Sequence, residues 1–186
     1  MSSFTKNAIK TSFLKLLEEK PLSQITVKMI VEDCGINRNS FYYHYADIPA
    51  LMEEIAHDEA DRIINDYPTV ESIETALKAT IDFVTTHRRS VMHIYNSVSR
   101  DIFERYQWKV CDYVITTYSK AALPGVEIDP SDKELVEHIY KSLLFGLSIS
   151  WLDKRMDPTA GEKITRICEL MHGMSDELIK RCRKDQ

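Results

Sequence analysis

The chain is poor in the residues that interrupt helices. It has five glycines and six prolines among 186 residues, and strong helix formers dominate the remainder, so the composition predicts an all-α protein. It also lacks an uncharged apolar run long enough to cross a bilayer, and its N-terminus, MSSFTKNAIK, has no apolar signal-peptide core. We therefore expect a soluble, cytoplasmic protein with no membrane partner.

Motifs for metal binding and catalysis are missing too. The four cysteines are scattered, with no Cys-x-x-Cys pair and no histidine at metal-ligand spacing. We expect them to be small buried apolar residues in a reducing compartment. No paired nucleophile and base and no glycine-rich phosphate loop occur. A helical enzyme is therefore the weakest hypothesis, and we expect no catalytic residues, no metal and no cofactor.

The charge balance argues against a nonspecific nucleic-acid coat. The net charge is −5, and residues 1–56 contain six lysines and arginines against seven aspartates and glutamates. An acidic protein does not attract phosphate over its whole surface. Any binding to DNA must depend on where a few side chains are placed.

Residues 26–45 have the pattern of two short helices joined by a tight turn. An apolar stripe at helical spacing defines the first helix and comprises Val27, Ile30, Val31 and Cys34. Thr26 stands at the N-cap position, and Gly35 follows the stripe where a left-handed residue commonly ends a helix.

The second helix of this pair has one apolar side and one polar side. Asn37 can cap it, and Ile36 and Phe41 can form a hydrophobic staple across its start. With Phe41 and Tyr45 directed inward, the outward residues are rich in hydrogen-bond donors and acceptors: Arg38, Asn39, Ser40, Tyr42, Tyr43 and His44. A bracing helix followed by such a helix predicts a helix-turn-helix, in which the second helix lies in the major groove.

This run resembles the DNA-binding region of the TetR family of bacterial transcriptional regulators. The matching residues are Thr26, Ile30, Gly35, Ile36, Asn37, Phe41, Tyr42, His44 and Tyr45. The resemblance implies an all-α fold of about nine helices: a three-helix DNA-binding head, residues 1–46, and an effector-binding and dimerisation body, residues 47–186. It also implies a phosphate-binding lysine at the start of the fourth helix, but Ile48 stands there. The effect of that difference on DNA binding is left open.

The expected DNA contacts fall into base-reading and phosphate-binding groups. Arg38 can donate to guanine in bidentate fashion, and Asn39 or Asn37 can pair with adenine. The resemblance places Tyr42 and His44 at phosphate-contacting positions. The full predicted set is Thr26, Lys28, Asn37, Arg38, Asn39, Ser40, Tyr42, Tyr43 and His44. Lys6 and Lys10, one helical turn apart on the first helix, are either further phosphate contacts or part of a solvated face.

The C-terminal part predicts a dimer. Capping boxes at residues 131–134 and 159–162 open two helices, about 131–153 and 162–182. The first is apolar nearly all the way round, and one chain of this size can cover only one side. We therefore expect a four-helix interface with a second copy. Its predicted residues are Leu143, Gly146, Leu147, Ser150, Trp151, Ile167, Met171 and Leu178.

An effector is implied by the resemblance and not by any ligand-binding motif. Aromatic and histidine side chains that could line its pocket are Tyr95, Phe103, Tyr106, Tyr113, His138 and Tyr140. The leading hypothesis is a homodimeric repressor that binds a palindromic double-stranded operator and is released by a small molecule. The alternative is an effector-independent regulator or activator whose body binds protein partners.

Overall fold

The computed structural model describes residues 2–69, 73–98, 100–122, 125 and 127–182. These residues form ten α-helices, which confirms the all-α prediction. The helices are α1 (Ser2–Glu19), α2 (Val27–Cys34), α3 (Arg38–His44), α4 (Ile48–Asp66), α5 (Ile73–Thr86), α6 (Arg88–Tyr95), α7 (Arg100–Ala122), α8 (Pro130–Asp153), α9 (Ala160–Met171) and α10 (Met174–Cys182). A single 3₁₀ turn, Leu22–Gln24, separates α1 from α2.

The chain divides into two compact units. The first contains Met1–Asp58 and Thr86–Tyr106, and the second contains Glu59–Thr85 and Gln107–Gln186. The head expected to end at residue 46 is thus part of a larger unit that takes in the first half of α4, all of α6 and the start of α7. Sequence pattern gives no sign of this, because the joining contacts connect residues about 70 positions apart.

The core of the first unit is built from the apolar faces of α1 to α4. Its buried residues are Ile9, Phe13, Leu16, Leu17, Ile25, Ile30, Val31, Phe41, Tyr45, Leu51 and Met52. One buried polar group is satisfied, since the Ser12 hydroxyl donates to the Ile30 carbonyl at 3.1 Å. Burying apolar surface is the dominant favourable term in folding, so this cluster fixes the positions of α2 and α3.

Helix α6 packs against the C-terminal end of α1. The Ser90 hydroxyl donates to Glu18, and a ring nitrogen of His93 lies 2.7 Å from the Leu17 carbonyl oxygen. The sequence predicts a helix from 91 to 98 with Arg88 and Arg89 ending the helix before it. That is wrong by three residues: α6 already begins at Arg88. The contacts with α1 set its register, and the sequence pattern does not contain them.

In the second unit, side chains of α7 contact side chains of α8. Cys111 is buried at 1% exposure, and the Gln107 amide donates to the Ser148 hydroxyl at 3.1 Å. Lys141 of α8 pairs with Asp112 of α7 and lies 5.4 Å from the ring centroid of Trp108. Tyr113 donates from its hydroxyl to Asp61 of α4 at 2.7 Å.

Neither predicted capping box forms, although Thr159 does stand at the N-cap position of α9. Helix α8 begins at Pro130, and its cap is Asp129, whose carboxylate accepts from the Ser131 N–H at 3.0 Å and from the Ser131 hydroxyl at 2.6 Å. The Thr159 hydroxyl likewise donates backward, to Asp157 at 2.9 Å. In each case an aspartate two residues upstream accepts the bond, as side chains in such turns commonly do.

The predicted last helix is two helices. Gly173 adopts a left-handed φ of 77°, so the chain turns between α9 and α10. Glycine takes this conformation without the steric penalty that a Cβ imposes.

Among the described residues, no helix combines the length and the apolar composition that a bilayer span requires. They also contain no group of three or more histidine, cysteine, aspartate or glutamate side chains that could hold a metal ion.

Candidate nucleic-acid interface

The turn between α2 and α3 forms as the sequence predicts. The Thr26 hydroxyl accepts from the Met29 N–H at 3.3 Å and caps α2. Gly35 has a left-handed φ of 71°, and the Ile36 N–H donates back to the Val31 carbonyl at 3.0 Å. Because these caps and the glycine act locally, the angle between the two helices is encoded within a few residues.

Helix α3 is capped by Asn37, and this cap limits what Asn37 can do with DNA. Its Oδ1 accepts from the Ser40 N–H at 2.8 Å and from the Ser40 hydroxyl at 3.1 Å. Reading adenine requires both the oxygen and the nitrogen of the amide. Asn39, which is exposed, is therefore the better candidate of the two, and Asn37 is better placed to orient the helix.

The polar face of α3 is directed into solvent. Phe41 and Tyr45 are buried at 0% and 3% exposure, whereas Tyr42 and Tyr43 are exposed at 54% and 82%. Arg38 and Asn39 are exposed, and Ser40 and His44 are half-buried. The Tyr43 ring meets the His44 ring edge-on at 5.0 Å between centroids. The predicted DNA-contacting side chains thus form one accessible surface on a helix that two buried aromatics anchor.

Among the residues that the structure describes, four lysines of α1 and α2 are paired with acids, whereas the arginine of α3 is not. Lys6 and Lys10 lie 2.8 and 2.7 Å from Glu54, and Lys15 lies 2.6 Å from Asp33. Lys28 pairs loosely with Glu32, at 3.7 Å. Within the described residues Arg38 has no such acidic partner. An exposed i,i+4 pair like that of Lys28 contributes only about 0.3–0.5 kcal/mol, so a phosphate can displace it.

The start of α4 is less favourable to phosphate than a bare helix N-terminus. Asp47 accepts from the Ala50 N–H at 2.8 Å and thereby caps α4. Its carboxylate therefore occupies the end where the helix dipole would attract an anion. Ile48, which stands where the resemblance implies a lysine, is half-buried and packs on the core of the first unit.

Replacing Asp47 by asparagine is expected to strengthen DNA binding. Asparagine caps helices as well as aspartate does, so the helix end is kept while one negative charge facing phosphate is removed. We expect affinity for any duplex to rise roughly two- to fivefold, the size of one helix-terminus charge effect. Fluorescence anisotropy at low salt measures it. Glu19→Gln, the same change of charge at the end of α1, is the control, and an equal gain in both variants would refute a local effect.

The residues predicted to line an effector pocket lie in several packing groups. In the first unit the rings of Tyr95 and Phe103 meet edge-on at 4.9 Å, and the Tyr106 hydroxyl donates to the Met52 carbonyl at 3.0 Å. In the second unit His138 meets Trp108 edge-on at 5.8 Å, while Tyr113 bonds Asp61 and Tyr140 is half-buried.

Two of the cavities in the described part of the chain were compared with the predicted effector residues. An open cleft of about 380 Å³ between α1 and α2 is lined by Phe4, Asn7, Ala8, Thr11, Ser12, Asp33 and Cys34. A cavity of about 30 Å³ in the second unit is lined by Ser119, Ile128, Lys133, Val136, Glu137, Ile179 and Cys182. None of the six predicted effector residues lines either one, and the effector pocket stays a prediction.

One face of α8 exposes apolar and small side chains. Of the predicted interface residues, Leu143, Gly146 and Ser150 are exposed, whereas Leu147, Trp151, Ile167, Met171 and Leu178 are half-buried. Leu135 and Ile139, which are not among the predicted interface residues, are 63% and 55% exposed. Leu135, Ile139 and Leu143 follow one another at intervals of four residues, and this helical spacing was the available signal. We call Leu135, Ile139, Leu143, Gly146 and Ser150 the α8 stripe. Leu170 and Met174 are also exposed, at 66% and 48%.

Comparisons with known proteins agree with this geometry. Residues 14–55 match the model of the bacterial regulatory proteins of the tetR family. Residues 71–173, more than half of the chain, match a transcriptional regulator C-terminal region of the same family. An uncharacterised HTH-type transcriptional regulator of Bacillus subtilis strain 168, YxbF, is 22% identical over 157 residues, which cover 78% of this chain. The chain spans 39% of the length of that relative.

Solved structures share the fold at low identity. A TetR transcriptional regulator from Rhodococcus sp. RHA1 superposes with a TM-score of 0.66 at 17% identity, covering 90% of this chain and 96% of the other. The dihydroxyacetone kinase operon activator DhaS has a TM-score of 0.58 at 16% identity, covering 97% and 98%. A tetR-family regulator from Streptomyces coelicolor has a TM-score of 0.57 at 18% identity, covering 97% and 88%. Family models match both the N-terminal and the C-terminal part of the chain, and α2 and α3 form a capped helix-turn-helix that buried aromatic side chains hold in place. The chain therefore belongs to the TetR family of bacterial transcriptional regulators.

Proposed function

We propose that this protein is a homodimeric repressor that binds a palindromic operator and is released by a small-molecule effector. The proposal that the protein binds DNA is supported by the exposed polar face of α3, which the buried rings of Phe41 and Tyr45 hold in place. Arg38, Asn39, Ser40 and Tyr43 read bases, whereas Thr26, Lys28, Tyr42 and His44 contact phosphate. Phosphate contacts set the register of the helix and base contacts set the sequence.

The α8 stripe supports the dimer. Monomeric proteins rarely leave a contiguous apolar helix face in solvent, and a two-fold axis brings the same stripe from two chains together. Gly146 favours close approach, because no atom lies within 4 Å of the position a Cβ would take there. Two copies of α3 then read half-sites about 34–36 Å apart, one turn of the duplex.

The effector acts by binding one arrangement of the two heads better than the other. A ligand without that difference in affinity changes nothing, however tightly it binds. Family membership is the support for an effector, and its identity is open. A thermal-shift screen detects a ligand because saturating binding to the folded state raises the melting temperature.

The second candidate is a regulator whose body binds a protein partner. Leu170 and Met174, exposed beyond the α8 stripe, favour such a surface. A protein of this fold is described as an operon activator, so the sign of regulation has to be measured with a reporter gene under the operator. Loss of reporter expression when the regulator is present supports repression, and a gain supports activation.

Arg38→Ala tests the base-reading assignment. Loss of a bidentate contact to guanine should cost about 1–3 kcal/mol and relax the preference at one base position. Selection of binding sites from a random duplex pool, with wild type and variant in parallel, measures it. Lys28→Ala is the matched control, because loss of a phosphate contact weakens all sequences alike and lowers the salt slope by about one. An unchanged selected sequence with Arg38→Ala would remove Arg38 from the reading set.

A further inference from the structure

The residue that ends the recognition helix is tied to α4 through a single carboxylate. Tyr45 follows α3 directly, and its backbone N–H donates to the Phe41 carbonyl at 2.9 Å. Its ring is buried, and its hydroxyl donates to Glu54 Oε1 at 3.1 Å. A helix of seven residues is too short to be stable alone. The contacts at its two ends therefore decide its orientation, and Glu54 supplies one of them.

The same carboxylate also gathers two lysines from α1. Lys6 Nζ lies 2.8 Å from Glu54 Oε2, and Lys10 Nζ lies 2.7 Å from Oε1. Lys10 pairs in addition with Asp58, and Lys6 Nζ lies 5.6 Å from the ring centroid of Tyr45. Glu54 therefore joins α1, the end of α3 and α4 in one polar network.

The carboxyl group of Glu54 is ionised near neutral pH. Burial alone would raise the pKa of its carboxyl group, but hydrogen bonds from Lys10 and Lys6 outweigh this and lower the pKa from 4.5 to about 2. The network is therefore fully formed above pH 4.5 and is lost only as the pH falls through about 2. Near neutral pH both lysines have a permanent anionic partner.

We propose that Glu54 is a positioning residue that sets the preference for operator over random DNA. Glu54 orients α3 through Tyr45. By pairing with Lys6 and Lys10, it also prevents these lysines from binding the phosphates of DNA regardless of base sequence. The Lys10 side chain is only 14% exposed in this arrangement. The inference rests on the proposed function, since it concerns the selectivity of the same DNA-binding face.

The test compares Glu54→Gln with Glu53→Gln. Glu53 is the neighbouring, half-buried residue of α4, and it takes no part in the ion pairs of Lys6 and Lys10. Both variants change the net charge equally, but only the first disturbs the network. The probes are the duplex selected by the wild-type chain from a random pool and a scrambled duplex of equal length, titrated at several salt concentrations.

Glu54→Gln is expected to lower the ratio of operator to scrambled-duplex affinity roughly tenfold, the effect of one charge-assisted hydrogen bond. It should also steepen the salt slope on the scrambled duplex by about one to two, since each lysine that reaches a phosphate adds about 0.9. Glu53→Gln should leave the ratio within about twofold of wild type, because Glu53 holds neither lysine and charges that are not fully buried contribute little. Equal ratios and slopes in the two variants would overturn the inference.

Tyr45→Phe tests the orientation of α3 without changing the charge of Glu54. It also provides a second test if Glu54→Gln fails to fold. It keeps the buried ring and removes only the hydroxyl, so a cooperative thermal transition is expected to remain. Operator affinity should fall about threefold, as one net hydrogen bond requires, with no change in the salt slope on scrambled DNA. Unchanged operator affinity would overturn the positioning role. If the wild-type chain selects no sequence from the pool, both the proposed function and this inference are refuted. If the wild-type chain does select a sequence but the variants bind DNA as the wild type does, only the inference is refuted.

Discussion

Ile139→Lys is expected to separate the proposed dimer into folded monomers and to lower operator affinity roughly 10²–10⁴-fold, the gain that two linked binding events provide. In the single chain Ile139 is 55% exposed, so lysine, a good helix former, is tolerated there. In a two-fold interface each lysine meets the same surface of its partner, and burying the two like charges costs several kcal/mol. Sedimentation equilibrium and operator titration measure the two effects.

The structure offers a matched control in Ile102→Lys. Ile102, in α7, is exposed to a similar degree, 50%. The same chemical change at this position should leave both the dimer and operator binding intact. A dimer that survives Ile139→Lys with native operator affinity would exclude the α8 stripe as the interface.

Gly146→Leu probes the same surface by size instead of charge. A Cβ at residue 146 meets no atom within 4 Å in the single chain, and leucine is the better helix former. The monomer should therefore gain stability while the dimer weakens. Lys120→Leu, which adds an apolar side chain at an exposed position of α7, is the control. Equal dimer dissociation constants for the two variants would contradict close approach at Gly146.

Phe41→Ala is expected to cost about 3–5 kcal/mol of folding free energy, because it removes a fully buried aromatic ring from the core of the first unit. The Phe41 ring contacts those of Tyr42 and Tyr45 at centroid distances of 5.5 and 5.8 Å. Typical domains are stable by about 5–15 kcal/mol, so the variant should lose most of its DNA binding. Chemical denaturation gives the change in free energy, and hydrogen exchange shows which amides lose protection.

Tyr43→Ala is the control for Phe41→Ala on the same helix. Tyr43 is 82% exposed, so its loss should change stability by no more than about 0.5 kcal/mol while it weakens DNA binding. The two variants distinguish the role of holding α3 in the fold from the role of contacting DNA. Full stability in Phe41→Ala, or a large loss of stability in Tyr43→Ala, would contradict the division of α3 into an inward and an outward face.

The helix-turn-helix could be predicted from sequence because its determinants are local. Thr26, Gly35 and Asn37 each act on residues no more than four or five positions away, and the stripe of α2 has helical spacing. The same reasoning failed at α8 and α9, where Asp129 and Asp157 bond the residues expected to cap. A capping box is only one of several bonds that a serine or threonine can make, and a nearby aspartate can replace it.

Other features depend on contacts between residues far apart in the chain. The inclusion of α6 in the first unit depends on bonds such as that from Ser90 to Glu18, 72 positions apart. The polar network of Glu54 joins residues up to 48 positions apart, and the sequence left Lys6 and Lys10 open between two roles. An effector site and a dimer contact depend further on molecules outside a single chain, so pattern alone can only nominate residues for them.

In α3, the side chains that pack in the core are different from those that face solvent, and this difference affects how such regulators diversify. Arg38, Asn39 and Tyr43 are exposed and Phe41 is buried, so under the proposed base-reading role new operator preferences can arise in evolution without passing through unfolded intermediates. After gene duplication, two copies could drift to different promoters in a few substitutions. The same property makes these three positions a compact library for reprogramming a genetic circuit.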